Sequence, residues 1–99
     1  MNIQRHGGSV TVITDERIDT FTAPQFAAEM EKALVDARDL TLDFGALNYI
    51  SSSGLRAVML AVKTMARQGS MRIVNVGKDV YEILETTGFV GVCSVEPKA

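Results

Sequence analysis

An α/β domain built on a mixed β-sheet, with an N-terminal hairpin and its helices mainly packed on one face, is the fold that three observations predict. Leu40-Thr41-Leu42-Asp43-Phe44 alternates apolar and polar residues at the two-residue period of a strand. Phe26, Ala27, Met30, Ala33, Leu34 and Ala37, and again Leu55, Val58, Met59, Val62, Met65 and Ala66, recur at helical spacing. Gly7-Gly8 separates two short strand-like runs near the N-terminus. A hairpin followed by helix, strand, helix, strand and helix specifies the α/β class, and right-handed β-helix-β crossovers place those helices together on one face.

The elements follow in order. Asn2 to Arg5 and Ser9 to Ile13 read as strands that pair antiparallel, because Gly7-Gly8 supplies the positive φ that a hairpin turn requires. Asp15 to Thr22 is charged and turn-like, and Pro24 suits the first turn of a helix that ends before Asp39. The strand Leu40 to Phe44 leads through a serine turn into a helix from about Ser53 to Gln68, with Gly69 expected as its left-handed C-cap. Met71 to Val76 is the next strand. Asp79 with Glu82 three residues on resembles an acidic capping box opening a short helix that Gly88 ends, and Val92 to Val95 is expected as a last strand.

Composition narrows the function. The 99 residues form one expected domain, residues 1–99, large enough for a core without disulfide or metal staples. Ten Lys and Arg against 12 Asp and Glu leave a net charge of −2, which lacks the electrostatic footprint of a nucleic-acid binder. The single Cys93 forms no intramolecular disulfide and no cysteine metal cluster, and is expected as a small apolar residue in the last strand of a cytoplasmic protein. There is no cationic-apolar leader, and Arg56, Lys63 and Arg67 interrupt the most apolar helix, so neither export nor membrane spanning is expected.

The most informative run is Leu47-Asn48-Tyr49-Ile50-Ser51-Ser52-Ser53-Gly54-Leu55-Arg56, where strand gives way to helix. The first backbone N–H groups of a helix lack intrahelical partners and the dipole is positive there, so an anion carried by one of these serines is favoured by position. Serine clusters before helices are commonly caps and nothing more. A cap does not explain the face that follows, however. Ser53, Ala57, Leu60, Ala61 and Thr64 lie opposite the apolar stripe, flanked by Arg56, Lys63 and Arg67, and this face is small and partly apolar where an outward face should be polar. Either a second layer or a partner covers it.

Catalytic arrangements are missing. The glycine preceding the serine of a hydrolase elbow is absent, and His6 is the one histidine, in an N-terminal strand. Asp43 lies on the polar side of a strand, and Asp15, Glu16 and Asp19 cluster in a loop. No lysine follows Gly54 as in a phosphate-binding loop, and one His and one Cys do not make a metal site. No cofactor is expected. What remains is a serine that receives chemistry: phosphorylation adds about −1.5 to −2 charges to a neutral, partly apolar surface.

The order of features resembles the STAS domain over nearly the whole chain, and within it the single-domain anti-sigma factor antagonists of bacteria. Leu47 to Leu55 is similar to the family's strand-turn-helix motif, an apolar strand ending in Asp-Ser-Ser-Gly-Leu, with Ser53 before Gly54 at the phosphoacceptor position. Arg17-Ile18-Asp19-Thr20 with Thr22-Ala23-Pro24 and Phe26 resembles the family's loop into its first helix, which lies near the serine. Ser51 replaces the usual aspartate, and Glu16 the glycine often found before Arg17. The resemblance carries over Asp19 and Thr20 as contact residues beside the serine turn; together with that turn and the open helix face they give an expected partner surface of Asp19, Thr20, Tyr49, Ser51, Ser52, Ser53, Gly54, Leu55, Arg56, Ala57, Leu60 and Thr64. The resemblance implies a partner switch, in which the unmodified domain, a monomer or weak dimer, binds a GHKL-type serine kinase that is itself an anti-sigma factor. Phosphorylation of Ser53 with the kinase's ATP releases it, and a PP2C-type phosphatase resets it. The alternative is an unphosphorylated scaffold or accessory module of a transporter or lipid-transport complex; an anion or nucleotide binder using the Ser53-Gly54 helix start is a third possibility.

Overall fold

The computed structural model describes residues 1–99. Strands β1 (Asn2–His6) and β2 (Ser9–Ile13) form the expected antiparallel hairpin, with Gly7 at φ 61° in its turn. Two further strands, β3 (Arg17–Ile18) and β5 (Tyr49–Ile50), are only two residues long and pair with each other in parallel, apart from the main sheet. The main sheet has five strands in the order β1-β2-β4-β6-β7, where β4 is Asp39–Asp43, β6 is Ser70–Val76 and β7 is Ser94–Pro97. All its pairings after the hairpin are parallel.

Parallel register aligns the apolar positions of neighbouring strands: Val10 beside Leu40, Val12 beside Leu42, and Leu42 beside Ile73. These residues are buried, and helices α1 (Ala23–Ala33), α2 (Ser52–Gln68) and α3 (Lys78–Thr86) supply the rest of the core on the same face through Phe26, Met30, Val58, Met65, Val80 and Leu84. The opposite face is polar. Asp39 accepts hydrogen bonds there from Ser9 (3.2 Å) and Ser70 (2.9 Å), and Arg72 lies 3.6 Å from Glu96. One apolar face per strand therefore suffices, which is why the strands alternate.

Pro24 sits in the first turn of α1, where its missing N–H costs nothing. The helix ends at Ala33, and the last two residues of its predicted stripe, Leu34 and Ala37, are buried in the following turn. Gln68 donates from Nε2 to the carbonyls of Leu34 (3.0 Å) and Ala37 (2.8 Å), tying the end of α2 to that turn.

Four expectations are corrected. Gly69 does not take the left-handed conformation; its φ of 170° is extended, and glycine is required because a Cβ would lie 1.8 Å from the Arg38 carbonyl oxygen. Asp79 is not the cap of α3: the helix starts two residues earlier, with Gly77 as N-cap, and Asp79 stands inside the first turn, where its charge still complements the dipole. The last strand is Ser94–Pro97 instead of Val92–Val95, because a 3₁₀ turn over Phe89–Gly91 buries Phe89 and occupies the preceding residues. Cys93 consequently precedes the strand and is half-buried. Finally, α2 is rotated from its expected phase. Ala57 and Ala61 are buried while Met59 is half-buried and Ala66 exposed, because α2 packs against α1 as well as against the sheet.

Candidate functional site

The serine turn is built from the β5 end outward. Ser51 is extended (φ −82°, ψ 169°) and its side chain caps α2, with Oγ accepting from the Gly54 N–H at 3.1 Å and its carbonyl from the Leu55 N–H at 2.9 Å. Ser51 is buried, Ser52 exposed and Ser53 half-buried. The Ser51 and Ser53 hydroxyls are 3.0 Å apart, so the buried cap also orients the Ser53 hydroxyl, which no hydrogen bond does for Ser52.

The loop after β2 holds this turn in place. Ile18 accepts from the Ser51 N–H at 2.8 Å, and Glu16 from the Asn48 N–H at 2.7 Å. Gly54 is pressed onto the β3–β5 pair: a Cβ there would lie 2.8 Å from Ile18 Cγ2 and 2.9 Å from Ile50 Cγ1. Any larger residue pushes the helix start away from the loop. The resemblance placed this loop beside the serine, and the two short strands are what join them. Across them the Arg17 guanidinium lies over the exposed Tyr49 ring, 4.5 Å from its centroid.

Asp19 shapes the loop from within. One carboxylate oxygen accepts from the N–H groups of Phe21 (3.0 Å) and Thr22 (2.9 Å), and the Asp19 N–H donates to Thr22 Oγ1 at 2.9 Å. The Thr22 N–H first, then the Thr22 hydroxyl (3.2 Å) and the Phe21 N–H, hold its carboxyl below the ordinary value of 3.8; Arg17, 3.7 Å away, adds to the effect. Thr20 is exposed at the tip. Next to it stands a residue that sequence reasoning passed over: Phe21, 92% exposed. Its signal was an aromatic side chain in a turn, outside the helical stripe that begins at Phe26.

On α2, Arg56 is exposed, Leu60 is 58% exposed, and Leu55 and Thr64 are half-buried. Ala57, expected on the open face, is buried beneath Leu60 against α1. The two helices leave a groove of about 400 Å³ between them, walled by Met30, Leu34, Leu60 and Thr64, with Val35 exposed at its lip. Part of the small-residue face is therefore covered by a second layer and part lies open. The helix carries Arg56, Lys63 and Arg67 and no acidic residue. No three His, Cys, Asp or Glu side chains gather as a metal site. Burial pushes the Cys93 thiol above 9.0, away from nucleophilic use. The open part of α2 around Leu60, beside the serine turn, suits binding.

The model of the STAS domain family matches residues 1–98. BtrV of Bordetella bronchiseptica, assigned as an anti-sigma factor antagonist, is 37% identical over 81 residues, 79% of this chain and 69% of that protein. An anti-sigma factor antagonist from Mycobacterium paratuberculosis shares the fold with a TM-score of 0.88 at 20% identity, over 98% of this chain and 84% of that one. The phosphorylated Bacillus cell fate determinant SpoIIAA is similar over 95% of this chain and 88% of its own (TM-score 0.75, 15% identity). The fold also occurs within the murine anion transporter Slc26a9 (TM-score 0.76, 19% identity, 97% of this chain and 17% of that one), so architecture alone does not select among functions. With the whole-chain match and the 37% identical relative behind it, the chain belongs to the STAS domain family.

Proposed function

We propose that this protein is an anti-sigma factor antagonist working by partner switching, with Ser53 as its phosphoacceptor. The observation that carries the reading is the Ser53 hydroxyl itself, immediately before Gly54 at the start of α2 and held by Ser51 at 3.0 Å. The antagonist assignment of the 37% identical BtrV supports it. In the unmodified state a GHKL-type serine kinase, itself the anti-sigma factor, covers the serine turn, the loop at Asp19 and Thr20, and the open part of α2 around Leu60. Its ATP supplies the phosphoryl group in the cytoplasm: Ser53 Oγ bonds to the γ-phosphorus, the bond to ADP breaks, and the hydroxyl proton passes to a base of the kinase. The domain is substrate and ligand, and the chemistry belongs to the kinase.

Phosphate adds about −1.5 to −2 charges where the helix dipole tolerates them. A partner seated over that charge must desolvate it, so the complex dissociates while the fold persists. A PP2C-type phosphatase then resets the serine.

The test is incubation with such a kinase and ATP, followed by phosphopeptide mapping and a pull-down. Phosphate on Ser53 with release of the kinase is the expected result. Phosphate confined to Ser51 or Ser52, or none at all, overturns the reading, and the latter favours an accessory module that is never phosphorylated.

A further inference from the structure

We infer that Phe21 is the apolar anchor through which this domain engages the protein that reads Ser53, and that Asp19 acts by positioning it. The inference rests on the partner-switch reading above. Phe21 is 92% exposed, the most exposed large apolar side chain in the molecule. An aromatic left in water forgoes its burial energy, and rigid, exposed aromatics are the residues that dominate protein interfaces.

Rigidity is visible in the backbone. The Phe21 N–H donates to Asp19 Oδ1 at 3.0 Å, Thr22 donates to the same oxygen at 2.9 Å, Asp19 donates back to Thr22 Oγ1 at 2.9 Å, and the Ala23 N–H donates to the Asp19 carbonyl at 2.8 Å. Four bonds thus fix the main chain on both sides of one solvated ring. Interfaces gain from such ordering in advance, because the conformational entropy is already lost before contact. Asp19 has Oδ1 committed to the Phe21 and Thr22 N–H groups and is therefore a positioning residue, with Phe21 making the contact.

The occupant follows from continuity and charge. Phe21 is three residues from Ile18, whose carbonyl accepts from Ser51 and whose side chain lies against Gly54. At about 3.3–3.6 Å per residue, its backbone stands within roughly 10 Å of that junction. A partner large enough to sense Ser53 reaches Phe21. Arg56 is exposed in the first turns of α2, which has no acidic residue, while on the loop exposed Arg17 is offset by Glu16 and by Asp19 at 3.7 Å. The fitting surface is a protein with an apolar pocket for the ring and a carboxylate where Arg56 stands.

The experiment titrates the unmodified chain, Phe21→Ala, Phe21→Leu, Asp19→Ala, the Asp19→Ala/Phe21→Ala double variant and Ser53→Asp against a purified GHKL-type serine kinase of the same organism, with thermal melts of each. Phe21→Ala should weaken binding about 30-fold or more with an unchanged melting temperature, and Phe21→Leu should lose less. Asp19→Ala should weaken binding about three- to tenfold in the parent and not at all in the Phe21→Ala background, a coupling that a purely structural role would not produce. Phe21→Ala binding within twofold of the parent while Ser53→Asp releases the kinase overturns the anchor and keeps the switch. Loss with Phe21→Ala and none with Ser53→Asp keeps the anchor and overturns the switch. If the parent binds no such kinase, or if Phe21→Ala instead abolishes self-association in sedimentation, the anchor assignment falls.

Discussion

The Ser51 and Ser53 hydroxyls share a hydrogen bond of 3.0 Å, and Ser51 Oγ simultaneously accepts the Gly54 N–H at 3.1 Å. One buried atom therefore ends the strand, caps the helix and aims the candidate phosphoacceptor. An aspartate, usual at this position in the family pattern, could make the same two contacts, but its carboxylate would face a phosphate on Ser53. With serine at 51 the added charge meets only a hydroxyl and the helix dipole.

Replacing Ser51 by Ala should cost about 1 kcal/mol, the ordinary value of a lost serine cap, measured by urea denaturation. Ser51→Asp should recover most of it. An Ala variant as stable as the parent would show that the Gly54 N–H finds another partner and that the cap contributes nothing.

Gly54 in the first turn of α2 and Gly69 just past its end should respond to Ala for reasons other than helix propensity. At Gly54 the added methyl meets Ile18 and Ile50 side-chain carbons below 3.0 Å, and overpacking of this kind costs about 1–3 kcal/mol. At Gly69 it meets the Arg38 carbonyl oxygen at 1.8 Å, a backbone atom in a sheet-flanking turn that has little freedom to retreat. Gly69→Ala should be the more destabilising of the two by chemical denaturation. The reverse order would mean that the Arg38 turn yields more readily than the β3–β5 pair.

Much of this architecture was legible because it rests on periodicity. Val10, Leu40, Leu42 and Ile73 are buried as strand alternation requires, and Phe26, Met30, Val58 and Met65 as helical spacing requires. Several of the failures share a cause, dependence on a neighbour distant in sequence. Ala57 is buried only because α1 lies across it; Gly69 is glycine because of Arg38; β3 and β5 exist only as each other's partner. At the site, the serine turn was readable from local order and Asp19 from family resemblance. Phe21 was hidden because its one signal, an aromatic in a turn outside any apolar stripe, does not tell a displayed ring from one folded back onto the core.

Leu60 and Met65 separate surface from core on the same helix. Leu60 is 58% exposed and Met65 is 1% exposed. Leu60→Ala should change stability by less than about 0.5 kcal/mol, whereas Met65→Ala should cost about 2–5 kcal/mol as a buried large-to-small replacement. Equal losses in denaturant melts would show that the groove between α1 and α2 closes over Leu60 in solution.

Asp19 provides the pH dependence. Its carboxyl is held below 3.8 first by the Thr22 N–H, and further by the Thr22 hydroxyl, the Phe21 N–H and Arg17, while partial burial works in the opposite direction. A depressed carboxylate contributes order that is complete above its ordinary value and is lost as pH falls through its lower, folded value. Because the group is near solvent, that order is local: the turn at Phe21 should loosen in acid without unfolding the sheet. The amide resonances of Phe21 and Thr22, followed by NMR from pH 6 downward, should titrate with a midpoint below 3.8. In Asp19→Asn the acceptor oxygen remains but the ionisation is gone, so those shifts should become flat over the same range. A midpoint at or above 3.8 in the parent, or the same curve in the Asn variant, would show that the Asp19 carboxylate does not hold the Phe21 backbone.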